Sequence, residues 1–194
     1  MRLDPFALDR LFRTARTPPA FRPDPVSDEL LRELWELMRW GPTSGNCQPV
    51  RILFLRSAAA KERLRPALSP GNVAKVMGAP VTAILGYDTA FHDLLPRLWP
   101  RGDVRSWYEA DAGLREETAF RNGTLQAAYL ILAARALGLD CAPMSGFDAA
   151  VVDREFFAGT SIRANLLAAL GYGAFDRVRP RDPRLAFDEA CRVL

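Results

Sequence analysis

The sequence predicts an α+β fold. Segments with helical and strand periods are mixed along the chain without a regular βαβ rhythm, which argues against a doubly wound sheet. Of its 194 residues, 49% are apolar, enough to build a core for one domain over residues 1–194, with an excursion at about 88–113. A stretch from about 115 to 137 reads as a single long helix, the longest of the chain.

The elements follow in order. Asp4-Pro5 opens a first helix, with Pro at its first position and Phe6, Leu8, Leu11 and Phe12 on its apolar side. Thr17-Pro18-Pro19 breaks it, and Phe21 to Pro25 is extended. Ser27 caps a second helix, favoured by Asp28 and Glu29 in its first turn. Its predicted buried stripe is Leu30, Leu31, Leu34, Trp35, Leu37 and Met38, and Gly41 ends it. A strand is expected at 50–56, a helix from the Ser57 cap to Leu68, and a short helical piece containing Lys75 after Ser69-Pro70-Gly71-Asn72. Pro80 to Tyr87 is a second apolar strand. The excursion at 88–113 is irregular and partly helical, the kind of segment in which lids and binding loops occur. The long helix carries Ala119, Leu125, Ala128, Tyr129, Leu132 and Ala136 along one apolar side, which places it centrally or in a dimer interface, and Gly138 ends it. Asp140 to Gly146 is a strand or loop, Asp148 caps a helix to Phe157, Arg163 to Tyr172 is a strand, and an arginine-bearing tail closes on a helical turn.

Composition excludes several function classes. The formal charge is +3, and only Lys61 and Lys75 among 26 basic residues are lysines. No basic run or stripe suits nucleic acid, whereas a mildly basic balance suits an anionic ligand. Cys47, Cys141 and Cys191 are scattered, which disfavours a zinc site or a disulfide framework and fits a reducing cytosol. With His92 as the sole histidine, histidine-based metal or nucleophile chemistry is disfavoured. No membrane or secretory segment is evident, so a cytoplasmic protein is expected. Glycine-rich dinucleotide and P-loop fingerprints are absent.

Four constellations could carry chemistry. Trp40-Gly41-Pro42-Thr43-Ser44-Gly45-Asn46-Cys47-Gln48-Pro49 packs two hydroxyls and two carboxamides between prolines and glycines. A carboxamide pairs a donor with an acceptor and can read a planar ring edge of alternating C=O and N–H groups. The plainer reading is an ordinary polar connection. Asn72 and Lys75 share one helical face, offering an amide and a compact cation, or simply a cap and a solvated lysine. Arg13 and Arg16 near one end, and Arg177, Arg179, Arg181 and Arg184 near the other, suit a phosphate monoester, although many arginines in so arginine-rich a chain are solvated. Pro143-Met144-Ser145-Gly146-Phe147-Asp148 either presents backbone N–H groups to a ligand or is a plain turn into a helix.

In this order, these elements resemble the nitroreductase family of FMN-dependent oxidoreductases. The likeness rests on the arginine turn, the Pro-Val-Ser-Asp-Glu-Leu-Leu helix entry, the Trp40–Pro49 loop, Gly71-Asn72 with Lys75, Ala79-Pro80-Val81, Met144 to Asp148, Leu170-Gly171-Tyr172-Gly173 and Arg181-Asp182-Pro183-Arg184. The run Glu116 to Asn122 and the Pro-Met-Ser-Gly-Phe-Asp form look most like the malonic semialdehyde reductases of the Rut pyrimidine-degradation pathway. The resemblance implies a nitroreductase-like fold, a central, mostly antiparallel sheet flanked by helices with a long central helix, and a homodimer with FMN at the interface. It implies that Arg16, Thr17, Arg181 and Arg184 hold the FMN phosphate, and that Pro42, Thr43, Ser44, Asn46 and Gln48 lie along the ring or ribityl chain. Asn72 and Lys75 then contact the pyrimidine side, and Ser145 and Gly146 present N–H groups near N5. No side chain is catalytic in its own right: the flavin carries the hydride, and Lys75 supports it electrostatically. NADPH or NADH is the implied co-substrate and a small carbonyl compound the substrate. Arg97, Arg101 and Arg105 are candidates for a substrate carboxylate. Alternatives are a reductase of nitroaromatics, quinones or enones, and a non-catalytic flavin-binding protein. The Arg-Thr-Ala-Arg-Thr motif departs from the commoner Arg-Arg-Ser form, and Ser145 stands where many relatives have an acid.

Overall fold

The computed structural model describes residues 2–194. Its elements in chain order are α1 (Pro5–Leu8), β1 (Ala20–Phe21), α2 (Asp28–Met38), β2 (Val50–Leu55), α3 (Ala58–Leu64), α4 (Pro70–Gly78), β3 (Val81–Asp88), α5 (Leu95–Leu98), α6 (Ser106–Glu109), α7 (Ala112–Ala136), β4 (Asp140–Met144), α8 (Ala149–Phe156), β5 (Ile162–Gly171), β6 (Gly173–Ala174) and α9 (Phe187–Ala190). The architecture is α+β. A four-stranded sheet runs β2-β3-β5-β4 with every neighbour antiparallel, and β1 pairs with β6 in a small separate ribbon.

The caps read from sequence are present. Ser27, Ser57 and Asp148 accept from the N–H groups of Leu30, Ala60 and Val151, satisfying donors that the first helical turn leaves open. Strand β3 is buried from Val81 to Tyr87, as its continuous apolar run requires of a strand covered on both faces. One face packs Leu34, Met38, Leu85 and Leu130 under α2 and α7. The other packs Leu64, Val76, Ile84, Val152 and Leu167 under α3, α4 and α8.

Several expectations are corrected. The helix after Ser57 stops at Leu64 and tightens into a 3-10 turn over Arg65–Ala67, because Pro66 has no N–H to continue the α ladder. The first helix passes after Leu8 into a π turn, Asp9–Arg13, and its apolar residues Phe6 and Phe12 face solvent. On α2 only Leu31, Leu34 and Met38 are buried, whereas Trp35 and Leu37 lie exposed. Helix α7 has two unlike faces. Its buried face is Thr118, Ala119, Asn122, Gly123, Gln126, Ala127, Leu130, Ala133 and Ala134. Of the residues read as its apolar side, only Ala119 is buried; Leu125, Ala128 and Ala136 are exposed. Of the two placements expected for that side, central or in a dimer interface, the central one is corrected: the stripe is an outward face of the chain, and the core face is built mostly from small residues and two buried amides. No helix of the described residues is long and apolar enough to cross a membrane.

Candidate functional site

The two ends of the chain meet. Arg16 and Thr17, which follow the π turn, Lys75 of α4, and Arg181 and Arg184 of the tail line one cleft of about 520 Å³, together with Pro18, Arg135, Arg177, Arg179 and Asp182. Seven cationic side chains thus face a single carboxylate. None of the seven takes part in an ion pair among the described residues. Four of the guanidinium groups are held by carbonyls instead: Arg16 donates to Arg179 O at 2.6 Å, Arg181 to Arg13 O and Ala15 O at 2.9 and 3.0 Å, Arg135 to Leu11 O at 2.8 Å, and Arg184 to Asp182 O and Pro183 O at 2.9 and 3.0 Å. A carbonyl fixes a guanidinium in place without neutralising it, so the cleft keeps its positive potential for an anion.

Helix α4 joins this cleft to the turn after β4. Lys75 lines the cleft, and one turn earlier Asn72 Nδ2 donates to Gly146 O at 2.9 Å. That carbonyl also accepts from the Ser69 N–H at 3.1 Å. Among the described residues the Asn72 Oδ1 acceptor has no donor, and the N–H groups of Ser145 and Gly146 have no acceptor. The far end of α4 is tied down by buried Lys61, which donates to Ala79 O. Burial without a carboxylate partner lowers the pKa of that ammonium.

The Trp40–Pro49 loop is a compact structure. Gly45, Asn46 and Gln48 have φ of 54°, 53° and 41°. Asn46 and Gln48 are thus non-glycine residues in the left-handed region, which costs about 1 kcal/mol each and needs support from the surroundings. Some support is internal: Gln48 Nε2 donates to Asn46 Oδ1 at 2.7 Å and the Gln48 N–H to Thr43 Oγ1 at 3.2 Å. Further support is external, from α7 among other elements: Ser44 N–H donates to Asn122 Oδ1 at 2.9 Å, Val50 N–H to Gln126 Oε1 at 2.9 Å, and Tyr129 Oη to Pro42 O at 2.9 Å. Cys47 is fully buried, and burial pushes its thiol up to about 11, which fits a packing role.

The sequence-predicted site residues therefore fall into two groups. Arg16, Thr17, Lys75, Arg181 and Arg184 share the cleft, and Asn72 and Gly146 adjoin it through α4. Pro42, Thr43, Ser44, Asn46 and Gln48 do not line it. The loop enters β2 at one edge of the sheet, whereas Ser145 and Gly146 leave β4 at the other, with β3 and β5 between. Three inter-strand steps put these edges about 14 Å apart. In the excursion, Arg97 shares a second cleft with Gln48, Trp35 and Leu98, while Arg101 lies over the Trp99 ring and Arg105 pairs with Asp93 and Glu109. Asn122, Gln126 and Arg135 were not read as site residues from the sequence. The signal was there: each is a polar residue in the small and apolar surroundings of α7.

Solved structures of the same shape are known. The chain matches a protein assigned as a nitroreductase from Bacillus subtilis, at 23% identity and a TM-score of 0.88, over 96% of this chain and 98% of that one. It matches a protein assigned as a nitroreductase, in complex with FMN, from Exiguobacterium sibiricum, at 19% identity and a TM-score of 0.86, over 100% and 99%. It also matches CLA-ER, an enone reductase of gut-bacterial fatty acid saturation, at 17% identity and a TM-score of 0.86, over the whole of both chains. At such identities the likeness speaks for the fold: α+β, antiparallel sheet, long helix α7. The sequence profile described as Nitroreductase family matches residues 13–173, so the chain belongs to the nitroreductase family.

Proposed function

We propose that the protein is an FMN-dependent oxidoreductase that uses NADPH or NADH to reduce a small carbonyl compound, malonic semialdehyde to 3-hydroxypropionate in pyrimidine degradation being the leading substrate. The observation that carries this reading is the set of uncompensated cations in the cleft, continuous through α4 with an open amide acceptor and two open backbone N–H groups. These groups fit FMN: a dianionic phosphate for the arginines, and a ring edge with N–H and C=O groups for Asn72 and the turn. When bound, FMN supplies hydride transfer between nicotinamide and substrate.

The chain's own residues position and tune it. Arg16, Thr17 and Arg184, with Arg181 bracing the carbonyls of residues 13 and 15, hold the phosphate. Lys75 supplies a positive charge on the pyrimidine side, favouring a reduced, anionic ring. Asn72 aligns that edge, and the Ser145 and Gly146 N–H groups point at the reactive side. Arg97, beside Gln48, is the best placed of the excursion arginines to hold a substrate carboxylate.

The loop residues join the site when a second copy of the chain supplies them, which is the homodimer with FMN between subunits. Support comes from the surface. The accessible area is 11639 Å², whereas a monomeric globule of 21.6 kDa exposes about 9,200 Å². Exposed apolar side chains accompany the surplus: Phe12, Leu37, Trp40 and Leu125, and Leu185, Phe187 and Val193 of the tail. A second reading, an enone or broad nitro- and quinone reductase on the same flavin, draws support from the fold shared with CLA-ER.

The test is anaerobic stopped-flow on protein purified with its colour. The expected result is one FMN per subunit and bleaching of the flavin by NAD(P)H, followed by reoxidation with malonic semialdehyde faster than with enones, quinones or nitroaromatics. Bound FMN that nicotinamide never bleaches makes the protein a non-catalytic flavin binder. Colourless protein that does not take up added FMN ends the proposal.

A further inference from the structure

We propose that Asn122 and Gln126 of α7, with Tyr129 as a third contact, are positioning residues that clamp the Trp40–Pro49 loop in the shape it presents to the flavin. The inference rests on the flavin reading above. The three residues stand at i, i+4 and i+7, so one helical face carries them all. They take hold of the loop at three points: Pro42 O at its entry, the Ser44 N–H, and the Val50 N–H at its exit. Between the last two lie Gly45, Asn46 and Gln48, all with left-handed φ. A chain rarely holds two non-glycine residues in that region unless its ends are fixed from outside.

The amides are built for this task. Asn122 is 5% exposed, and its Nδ2 is spent on Thr118 O at 2.9 Å, which orients Oδ1 toward Ser44. Gln126 is fully buried in the layer between α7 and the sheet. Its Oε1 accepts from Val50, but its Nε2 finds no partner among the described protein groups. A buried donor left unmet is a cost that leucine would avoid at similar volume, so the acceptor end accounts for the glutamine. The loop has further ties at its later end: Asn46 Nδ2 donates to Leu98 O in the excursion, Arg51 of β2 to Gln48 O at 3.1 Å, and the Asp88 N–H of β3 to Pro49 O at 2.8 Å. From Pro42 to Ser44 the ties to core elements come from α7 alone, at Pro42 O and the Ser44 N–H, so α7 is the rigid reference for the first half of the loop and shares its exit with the sheet.

The experiment compares full-length wild type with Asn122→Leu, Gln126→Leu, Asn122→Asp and Tyr129→Phe. Asn122→Asp keeps the acceptor for Ser44, and Tyr129→Phe removes only the Pro42 contact, a change mild enough to fold if a leucine variant does not. Two readouts are taken: hydrogen–deuterium exchange of loop amides without flavin, and FMN affinity with the visible spectrum of the bound flavin. Expected for the leucine variants are loop exchange about tenfold faster against unchanged α4 and sheet amides, FMN binding about tenfold weaker, and a flavin band moved toward that of free FMN. Asn122→Asp, which keeps an acceptor for Ser44 but loses the donor to Thr118 O, recovers both readouts in part, and Tyr129→Phe shows a smaller change than the leucine variants in the same direction. Unchanged loop exchange in the leucine variants and in Tyr129→Phe overturns the clamp whatever the flavin does. Faster exchange with unaltered FMN affinity and spectrum overturns its link to the cofactor. Wild-type protein that binds no FMN, while its loop exchange still responds to the substitutions, assigns the failure to the flavin reading and takes the flavin-facing part of the proposal with it.

Discussion

The arginine-lined cleft and the loop ahead of β2 are built from different materials. The cleft draws most of its lining from segments near both ends of the sequence, exposed or half-buried except at Pro18, with Lys75 of α4 and Arg135 of α7 added, and several of its guanidinium groups are steadied by backbone carbonyls. The loop is short, carries left-handed backbone, and hangs from two buried amides of the longest helix. Charge acts over several ångströms and tolerates small displacements, so a cradle for a phosphate can be made from exposed segments. A hydrogen bond to a ring edge tolerates only tenths of an ångström, so its bearer has to be fixed to the core.

This contrast can be broken from either side. The largest effect is expected from the cleft: Arg16→Ala with Arg184→Ala should weaken FMN binding about hundredfold, since two charge-assisted contacts are lost, while riboflavin, which lacks the phosphate, binds as before. Fluorescence titration of flavin-stripped protein at two salt concentrations checks this; equal losses for both ligands would remove the cleft from phosphate binding. The loop should break by shape instead. A Cβ at Gly41 would sit 2.1 Å from the Tyr129 ring, so Gly41→Ala should destabilise the fold by about 2 kcal/mol through overpacking, read as a lower urea midpoint. No comparable loss is expected from the arginine substitutions, which lie on exposed backbone. The smallest effect sharpens the same line. Buried Cys47, with its thiol pushed up to about 11, and buried Cys141, at about 12, should resist a thiol reagent at pH 8, while exposed Cys191 reacts. Counting modified thiols before and after denaturation, one and then three, tests it.

The sequence was legible where local chemistry decides the outcome. Ser27, Ser57 and Asp148 announce their helices because a side-chain oxygen next to an open N–H is a local event, and the apolar run from Val81 announces a central strand. It left α7 open between a central place and a dimer interface, because Leu125, Ala128, Leu132 and Ala136 form an outward face with the composition of an interior. Asn122 and Gln126 look like surface residues and are buried, since their partners, Ser44 and Val50, lie 78 and 76 positions away. Arginine presents the same difficulty in another form. Nothing local separates Arg179 and Arg181 from the solvated arginines; only the meeting of distant segments, Arg16 with Arg179 and Arg181 with Arg13, selects them.

That meeting of distant segments has a consequence for biosynthesis. Residues 13–17 are synthesised long before residues 177–184, yet each set supplies the carbonyls that hold the other's guanidinium groups. Until the later set is made, the nascent chain has only part of this cleft. On the proposed reading FMN loading accordingly waits for the later segment, and a protease that clips the chain beyond Ala174 is expected to unload the flavin while leaving the central sheet intact.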